Sequence, residues 1–517
     1  MKVDASLAHM VRHWSSVHPH ATAITVGGRG SLGYRELDEL TSRFANGLRA
    51  IGVGAGQRVA FLGRDTRTWA TALVGASKVR AAGVPLNWRL ARPEMAEILA
   101  DADPAVVVCE PQLLPLLGLP AGAPDADACI VIDGVVTSLA AWLAEQNPVD
   151  PGGEPEPEDI AFLFYTSGTT GRPKGVQLSN RSVSANLAKP APWSIGPDDV
   201  VFVPAPTFHL SGSGWLFLCL ARGAHALYVN EIVPAEVLRL FETQCVTHAL
   251  VVPAVLQMLA RDPVAPQIDY SALRMIIYGG SPISTTVLAE AREMFGCELT
   301  QSYGMTESNG PITFLAPADH APDAPAHRLT SAGRPVDGVE VAVFDPLAAE
   351  RLRPGQVGEV WTRSDLLMTG YRNRPDEQRA AITADGWLRT GDAGYFDDDG
   401  YLYITDRIKD MIVSGAENIY PAEVENTLMD HPGVADAAVI GVPHEKWGET
   451  VKAVVVARPG AMLEAGAIID YCREHLAHYK CPTTVDIVAD LPRNPSGKIL
   501  KRVLRENYWP TDGRRVG

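Results

Sequence analysis

Residues 34–51 read YRELDELTSRFANGLRAI, with apolar side chains recurring every three and four positions and charges between them. That spacing predicts an amphipathic helix. Residues 58–62 (RVAFL) and 105–109 (AVVVC) are short apolar runs and predict buried strands, with a helix over 69–82 between them. The same texture returns at 160–166, 246–252 and 275–278. Helices alternating with short apolar strands predict an α/β architecture. The stretch 147–159 (NPVDPGGEPEPED) is all Pro, Gly, Asn, Val and acids, and predicts an exposed loop.

After about Gly355 the pattern changes to short strands with turn signals, VGEVWTR and then FDDDGYLYITD, whose DDDG at 397–400 predicts a hairpin turn. Beyond Arg407 a compact stretch follows, with a helix over 421–430 that Pro421 opens at its first turn, strands over 437–440 and 451–456, and a helix over 465–475. A domain boundary is expected near Asp406. No internal repeat is present.

Composition narrows the function classes. With 517 residues, 46% hydrophobic and 21% charged, the chain can bury several domain cores. A net charge of −16 argues against nucleic acid as the main partner, because phosphate backbones need a basic surface. Nucleotides need only a local cluster of donors. The seven cysteines form no CxxC pair and are odd in number, so a reducing cytoplasm is the expected location. The N-terminus MKVDASLAHMVRHW lacks a signal-peptide core. No run approaches the roughly 20 apolar residues that span a bilayer. Peripheral membrane contact and a homodimer stay open.

The strongest chemical signal is YTSGTTGRPKG at 165–175. Gly168, Gly171 and Gly175 allow backbone N–H groups to approach a phosphate closely. Thr166, Ser167, Thr169 and Thr170 supply hydroxyls, and Lys174 supplies charge. It is not the common NTPase loop, because the second glycine of that pattern falls on Pro173. The segment resembles the signature loop of the adenylate-forming superfamily, which includes acyl-CoA synthetases, aryl-CoA ligases, luciferases and peptide-synthetase adenylation domains.

Five further segments match that family in order. YGGSP (278–282) carries Gly279, Gly280 and Ser281, a turn that the resemblance places beside adenine and the acyl pocket. QSYGMTE (301–307) contains Ser302, Tyr303, Gly304, Thr306 and Glu307. The resemblance implies that Tyr303 stacks on adenine, Thr306 contacts the α-phosphate and Glu307 holds Mg²⁺. TGD ends at Asp392, with Arg407 fifteen residues on, and implies a ribose clamp. DRIKD then SGAENIYPAEVE place a hinge at Asp406 and a loop at Gly415 that approaches the acceptor thiol. PRNPSGK ends at Lys498, the residue implied to bridge the carboxylate and ATP. Taken singly, most of these segments read as turns, linkers or a basic tail; it is their order that carries the resemblance.

The resemblance implies a large N-terminal AMP-binding domain over 1–405, made of α/β subdomains with a distorted β-barrel part. A small mobile α+β domain over 406–517 carries the lysine. The implied reaction is ATP-dependent activation of a carboxylic acid with pyrophosphate release, then thioester formation with coenzyme A.

Where amino-acid-activating relatives carry an aspartate, PTFHLSG (206–212) has His209, which disfavours an α-amino acid and places His209 near the acyl carbonyl. Met305 stands where acetate enzymes narrow the pocket with tryptophan, and Trp215, Leu210, Gly212 and Gly214 shape the rest. A medium-chain or aromatic acid is expected. Trp447 and Tyr479 resemble residues that pack on the CoA adenine, while Cys481 stands where some relatives carry a basic residue. The readings left beside this one are transfer to an amine or a separate carrier protein, and a silent nucleotide- or acyl-binding protein.

Overall fold

The computed structural model describes residues 6–509, except 121–125, 168–172, 282, 347, 415–416, 420, 445–446 and 494–498. The chain divides into two compact units. The larger holds the residues up to Leu329 together with Gly333–Glu340 and Thr362–Leu388. The smaller takes Thr330–Ala332, Val341–Trp361 and the chain from Arg389 onward.

The larger unit is built on two sheets. In the nine-stranded sheet, Thr22–Val26, His225–Tyr228, Val200–Val203, His248–Val251, Met275–Gly279 and Glu298–Met305 run parallel, each to the next. Sequences such as MIIYG and VVFV are unbroken apolar runs because crossover helices bury both faces. Gly310–Leu315 and Arg334–Pro335 finish one edge antiparallel. The eight-stranded sheet has Arg58–Leu62 and Ala82–Pro85 at its centre and the hairpin Ile160–Ser167/Pro173–Ser179 toward one edge.

The predicted amphipathic helix is Tyr34–Ala50, burying Leu37, Phe44, Ala45 and Leu48. It packs so tightly on Thr66–Ser77 that a Cβ at Gly75 would stand 2.7 Å from the Phe44 ring. The helix expected over 69–82 instead ends at Ser77. Arg80 takes a left-handed φ of 66°, reversing the chain into the Ala82–Pro85 strand, a turn the apolar pattern does not announce. The 147–159 stretch is a loop, but Asp150 and Gly153 are tied down by Arg12.

His225 and His248 sit on the strands flanking Val200–Val203, and burial pushes both down to about 4. An unfolded chain binds these protons near the ordinary value of 6.5, the folded chain only near 4. The stability they contribute is complete above about pH 6.5 and is lost as pH falls toward 4. The thermal midpoint should therefore drop between pH 7 and pH 4.5, and drop less in a His225→Asn/His248→Asn double variant. An equal drop in both proteins would assign the acid sensitivity to other groups.

A four-stranded sheet ordered Glu340–Phe344, Gly358–Arg363, Leu388–Phe396, Leu402–Arg407 belongs mainly to the smaller unit. The DDDG turn closes its last hairpin, with Gly400 at φ 81° and its N–H donating to the Asp397 carbonyl at 3.1 Å. A second sheet contains Val434–His444 and Gly448–Ala457, longer than their apolar runs because the ladder continues past them. Pro421 opens the Pro421–Met429 helix, which buries Val424 and Leu428.

Candidate active site

In an open parallel sheet, ligand sites form beyond the carboxyl ends of the strands. Three of the sequence motifs lie at that edge of the nine-stranded sheet. Val200–Val203 leads through 204–208 to His209, the N-cap residue of the Leu210–Arg222 helix, whose carbonyl accepts from the N–H groups of Gly212 and Ser213 at 3.0 Å each. Met275–Gly279 ends in the Gly279–Gly280 turn. A Cβ on Gly279 would lie 2.3 Å from the Ser302 carbonyl, and Gly280 has φ +83°. Both glycines are thus required for the turn to pass beside Ser302, with the partly exposed Ser281 following.

Ser302, Tyr303 and Gly304 lie on Glu298–Met305, with Tyr303 opposite Thr313. A Cβ on Gly304 would be 2.1 Å from the Gly310 carbonyl, so the hairpin pinches just before Thr306 and Glu307. The Ser308 hydroxyl, 2.9 Å from the Met305 carbonyl and 2.7 Å from that of Gly310, binds the turn together.

Glu307 is 7% exposed. Its Oε1 accepts a hydrogen bond from the Tyr371 hydroxyl at 2.9 Å, and its carbonyl accepts from the Met368 N–H at 2.9 Å. Burial, then the Glu307 charge, push the Tyr371 hydroxyl well up, so the phenol is a donor at any working pH. Tyr371 lies on the two-residue strand Gly370–Tyr371, paired with Val176 and Gln177 of the glycine-rich hairpin.

In that hairpin Thr166 pairs with Lys174 and Ser167 with Pro173. Lys174 Nζ lies 5.1 Å from the Tyr371 ring centre and 2.8 Å from Glu377 Oε2. The structure thus brings the hairpin stem and the Glu307 turn together through a segment that sequence reasoning passed over. Tyr371 and Glu377 carry one weak signal: Pro375 followed by two acids marks a helix start, here Pro375–Ala381.

Beside His209, the helix Leu210–Arg222 leaves Leu210, Gly214, Trp215 and Leu218 partly exposed on one stripe. Trp193 packs against both Trp215 and Phe314 with ring centres 5.0 Å apart in each pair. Met305 is partly buried in the same apolar cluster.

The smaller unit holds the remaining residues. Asp392 is buried and its backbone pairs with Arg407 across two adjacent strands, so the two ribose candidates are brought together. Trp447 and Tyr479 are 46% and 48% exposed, and Lys480 Nζ lies 5.8 Å from the centre of the Tyr479 ring. Cys481 is buried, its thiol near the Ala477 carbonyl, and offers no surface contact. Gly168, Thr169, Thr170, Gly171, Gly415 and Lys498 lie outside the described residues.

Among the described residues no group of three or more His, Cys, Asp or Glu could hold a metal. A divalent cation at Glu307 would need the nucleotide phosphates as its other ligands, which is how Mg²⁺ is commonly bound.

Residues 11–372 match the model of the AMP-binding enzyme family, and residues 423–498 match its C-terminal domain. The chain belongs to the AMP-binding enzyme family. Membership makes it an adenylate-forming, ATP-using enzyme of the acid–thiol ligase class. It is 38% identical to a fatty acid–[acyl-carrier-protein] ligase, ScoC, of Streptomyces coeruleorubidus, over 96% of this chain and 95% of that one. It is 37% identical to a feruloyl-CoA synthase of an Amycolatopsis species, over 95% and 96%. Its fold matches ATP-bound MatB of Rhodopseudomonas palustris with a TM-score of 0.86 at 28% identity, over 98% and 99%. Among the described residues no helix is long and apolar enough to cross a membrane.

Proposed function

We propose that this enzyme activates an aromatic or medium-chain carboxylic acid as its adenylate and transfers the acyl group to the thiol of coenzyme A. The observation that carries the acid is the partly open apolar stripe of the Leu210–Arg222 helix next to His209, walled by Trp193, Trp215 and Phe314. Aromatic walls favour a flat or compact apolar tail. The feruloyl-CoA synthase relative supports an aromatic acid, and the fatty acid ligase relative supports an alkyl one.

In the first half-reaction the acid's carboxylate oxygen attacks the α-phosphorus of ATP and pyrophosphate leaves. Charge grows on the phosphoryl oxygens, so fixed donors and cations carry the catalysis. The proposal assigns Thr306, Lys174, Lys498 and the hairpin residues Thr166 to Gly171 to that charge. It assigns Tyr303, Gly279, Gly280, Ser281, Ser302 and Gly304 to adenine and its surroundings, and Asp392 with Arg407 to the ribose. Mg²⁺ bound at Glu307 would supply Lewis-acid neutralisation of the phosphates.

In the second half-reaction the thiol sulfur attacks the acyl carbon, AMP leaves and the thiol proton is released. His209 takes the acyl carbonyl side, the Gly415 loop lines the thiol's approach, and Trp447 and Tyr479 hold the CoA adenine. The proposal includes a small domain from residue 406 that turns about Asp406 between the steps.

A second reading changes only the acceptor to a carrier-protein thiol. The 38% identity to a carrier-protein ligase favours keeping it. The test is a panel of acids (acetate to palmitate, benzoates, cinnamates) assayed for pyrophosphate release with ATP and Mg²⁺, alone, with CoA and with a phosphopantetheinylated carrier protein. Release with a cinnamate or octanoate that rises with CoA and yields the acyl-CoA is the expected result. Stimulation by the carrier protein alone selects the second reading, and no release with any acid overturns both.

A further inference from the structure

We propose that Tyr371 is a positioning residue for nucleotide activation: its hydroxyl orients the Glu307 carboxylate while its ring and backbone hold the base of the glycine-rich hairpin. The inference rests on the reading of Glu307 as the Mg²⁺ carboxylate.

A single carboxylate that binds Mg²⁺ together with substrate phosphates must present its oxygen at a defined angle, because Mg²⁺ demands near-octahedral geometry. Groups that hydrogen-bond a ligating carboxylate supply that orientation. Glu307 sits in a four-residue turn, and a turn alone leaves side-chain torsions free. The Tyr371 hydroxyl restricts that freedom by donating to Oε1 at 2.9 Å, which fixes the carboxylate's orientation while leaving lone pairs for a cation.

Tyr371 is itself immobilised. Its backbone pairs with Val176, the Thr369 N–H donates to the Gln177 carbonyl at 2.8 Å, and the Arg372 N–H donates to the Gly175 carbonyl at 2.8 Å. The neighbouring Met368 N–H donates to the Glu307 carbonyl. One short segment is therefore bonded on one side to the hairpin and on the other to the metal-site turn. The Tyr371 ring also lies 5.1 Å from Lys174 Nζ, a cation–π distance. Displacing the tyrosine would loosen the carboxylate and the hairpin lysine together.

The test compares wild type, Tyr371→Phe and Glu307→Gln. Nucleotide binding is measured by calorimetry across a Mg²⁺ titration, and pyrophosphate release is measured beside it. Phenylalanine keeps the buried ring and its packing, so the ligand-free thermal midpoint should stay within a few degrees of wild type. Tyr371→Phe should need about tenfold more Mg²⁺ for half-maximal ATP binding and show a matching loss in kcat, with KM for the acid unchanged. A merely structural residue would not move the Mg²⁺ midpoint. If Glu307→Gln abolishes the Mg²⁺ dependence but Tyr371→Phe leaves it at the wild-type value, the positioning role is overturned while the reading of Glu307 stands. If Glu307→Gln leaves the Mg²⁺ dependence intact, both fall.

Discussion

Lys498→Ala should slow acid-dependent pyrophosphate release by two to three orders of magnitude, and leave thioester formation from a supplied acyl-adenylate within a few fold of wild type. The physical reason is that negative charge accumulates on the α-phosphoryl group only during the first half-reaction. Loss of one fixed donor at such a centre costs about 3–4 kcal/mol. The second half-reaction starts after pyrophosphate has left, and the lysine has no comparable charge to meet. Measuring both half-reactions on the same preparation separates this role from general damage: an equal loss in the two would identify a folding defect or a shared binding role. Lys498 lies outside the described residues, so the expectation comes from its place in PRNPSGK at the end of the matched C-terminal domain.

Lys78→Ala should destabilise the larger unit by about 3 kcal/mol, lowering its thermal midpoint by several degrees, without altering catalysis in the folded fraction. Lys78 is the C-cap residue of the Thr66–Ser77 helix and its side chain is wholly buried. Its ammonium reaches Asp38 Oδ1 at 2.6 Å, Ser42 Oγ at 2.8 Å and Asp150 Oδ2 at 2.8 Å. Burial pushes the Asp150 carboxyl up, but its hydrogen bonds from Arg12 and Lys78 outweigh this and hold it well below the ordinary carboxylate range.

Removing the cation strips Asp38 of its ion pair and leaves Asp150 to Arg12 alone, and breaking such a group costs about 3–5 kcal/mol when it is deep. The aspartates' partial exposure puts the loss at the lower end. A Lys78→Met/Asp38→Asn double variant should recover part of it, because the charge left without its cation is removed while Asp150 keeps Arg12. An unchanged midpoint in Lys78→Ala would mean that solvent compensates the aspartates fully.

The two expectations differ in how far the sequence alone could have led to them. The segment YTSGTTGRPKG stood out because glycines, hydroxyls and a lysine lie close together in the chain, and such clusters leave a local mark. A strand such as MIIYG was legible because burial on both faces demands an unbroken apolar run. The end of the helix at Ser77 was not, since it depends on Arg80 taking a left-handed turn that no neighbouring glycine or proline announces.

The sequence by itself determined the α/β class, the order of the nucleotide-binding motifs and the family chemistry. Tertiary structure alone decided that Lys78 is buried although lysines are mostly exposed, and that Gly279 must be glycine because the Ser302 carbonyl stands against it. It also decided that Trp193 meets both Trp215 and Phe314, and that Tyr371 reaches Glu307 across 64 residues. The reason is the same in each case. Periodicity and motifs report what a residue asks of its own backbone, whereas these contacts join segments that only the packing of sheets and helices brings within a few ångströms.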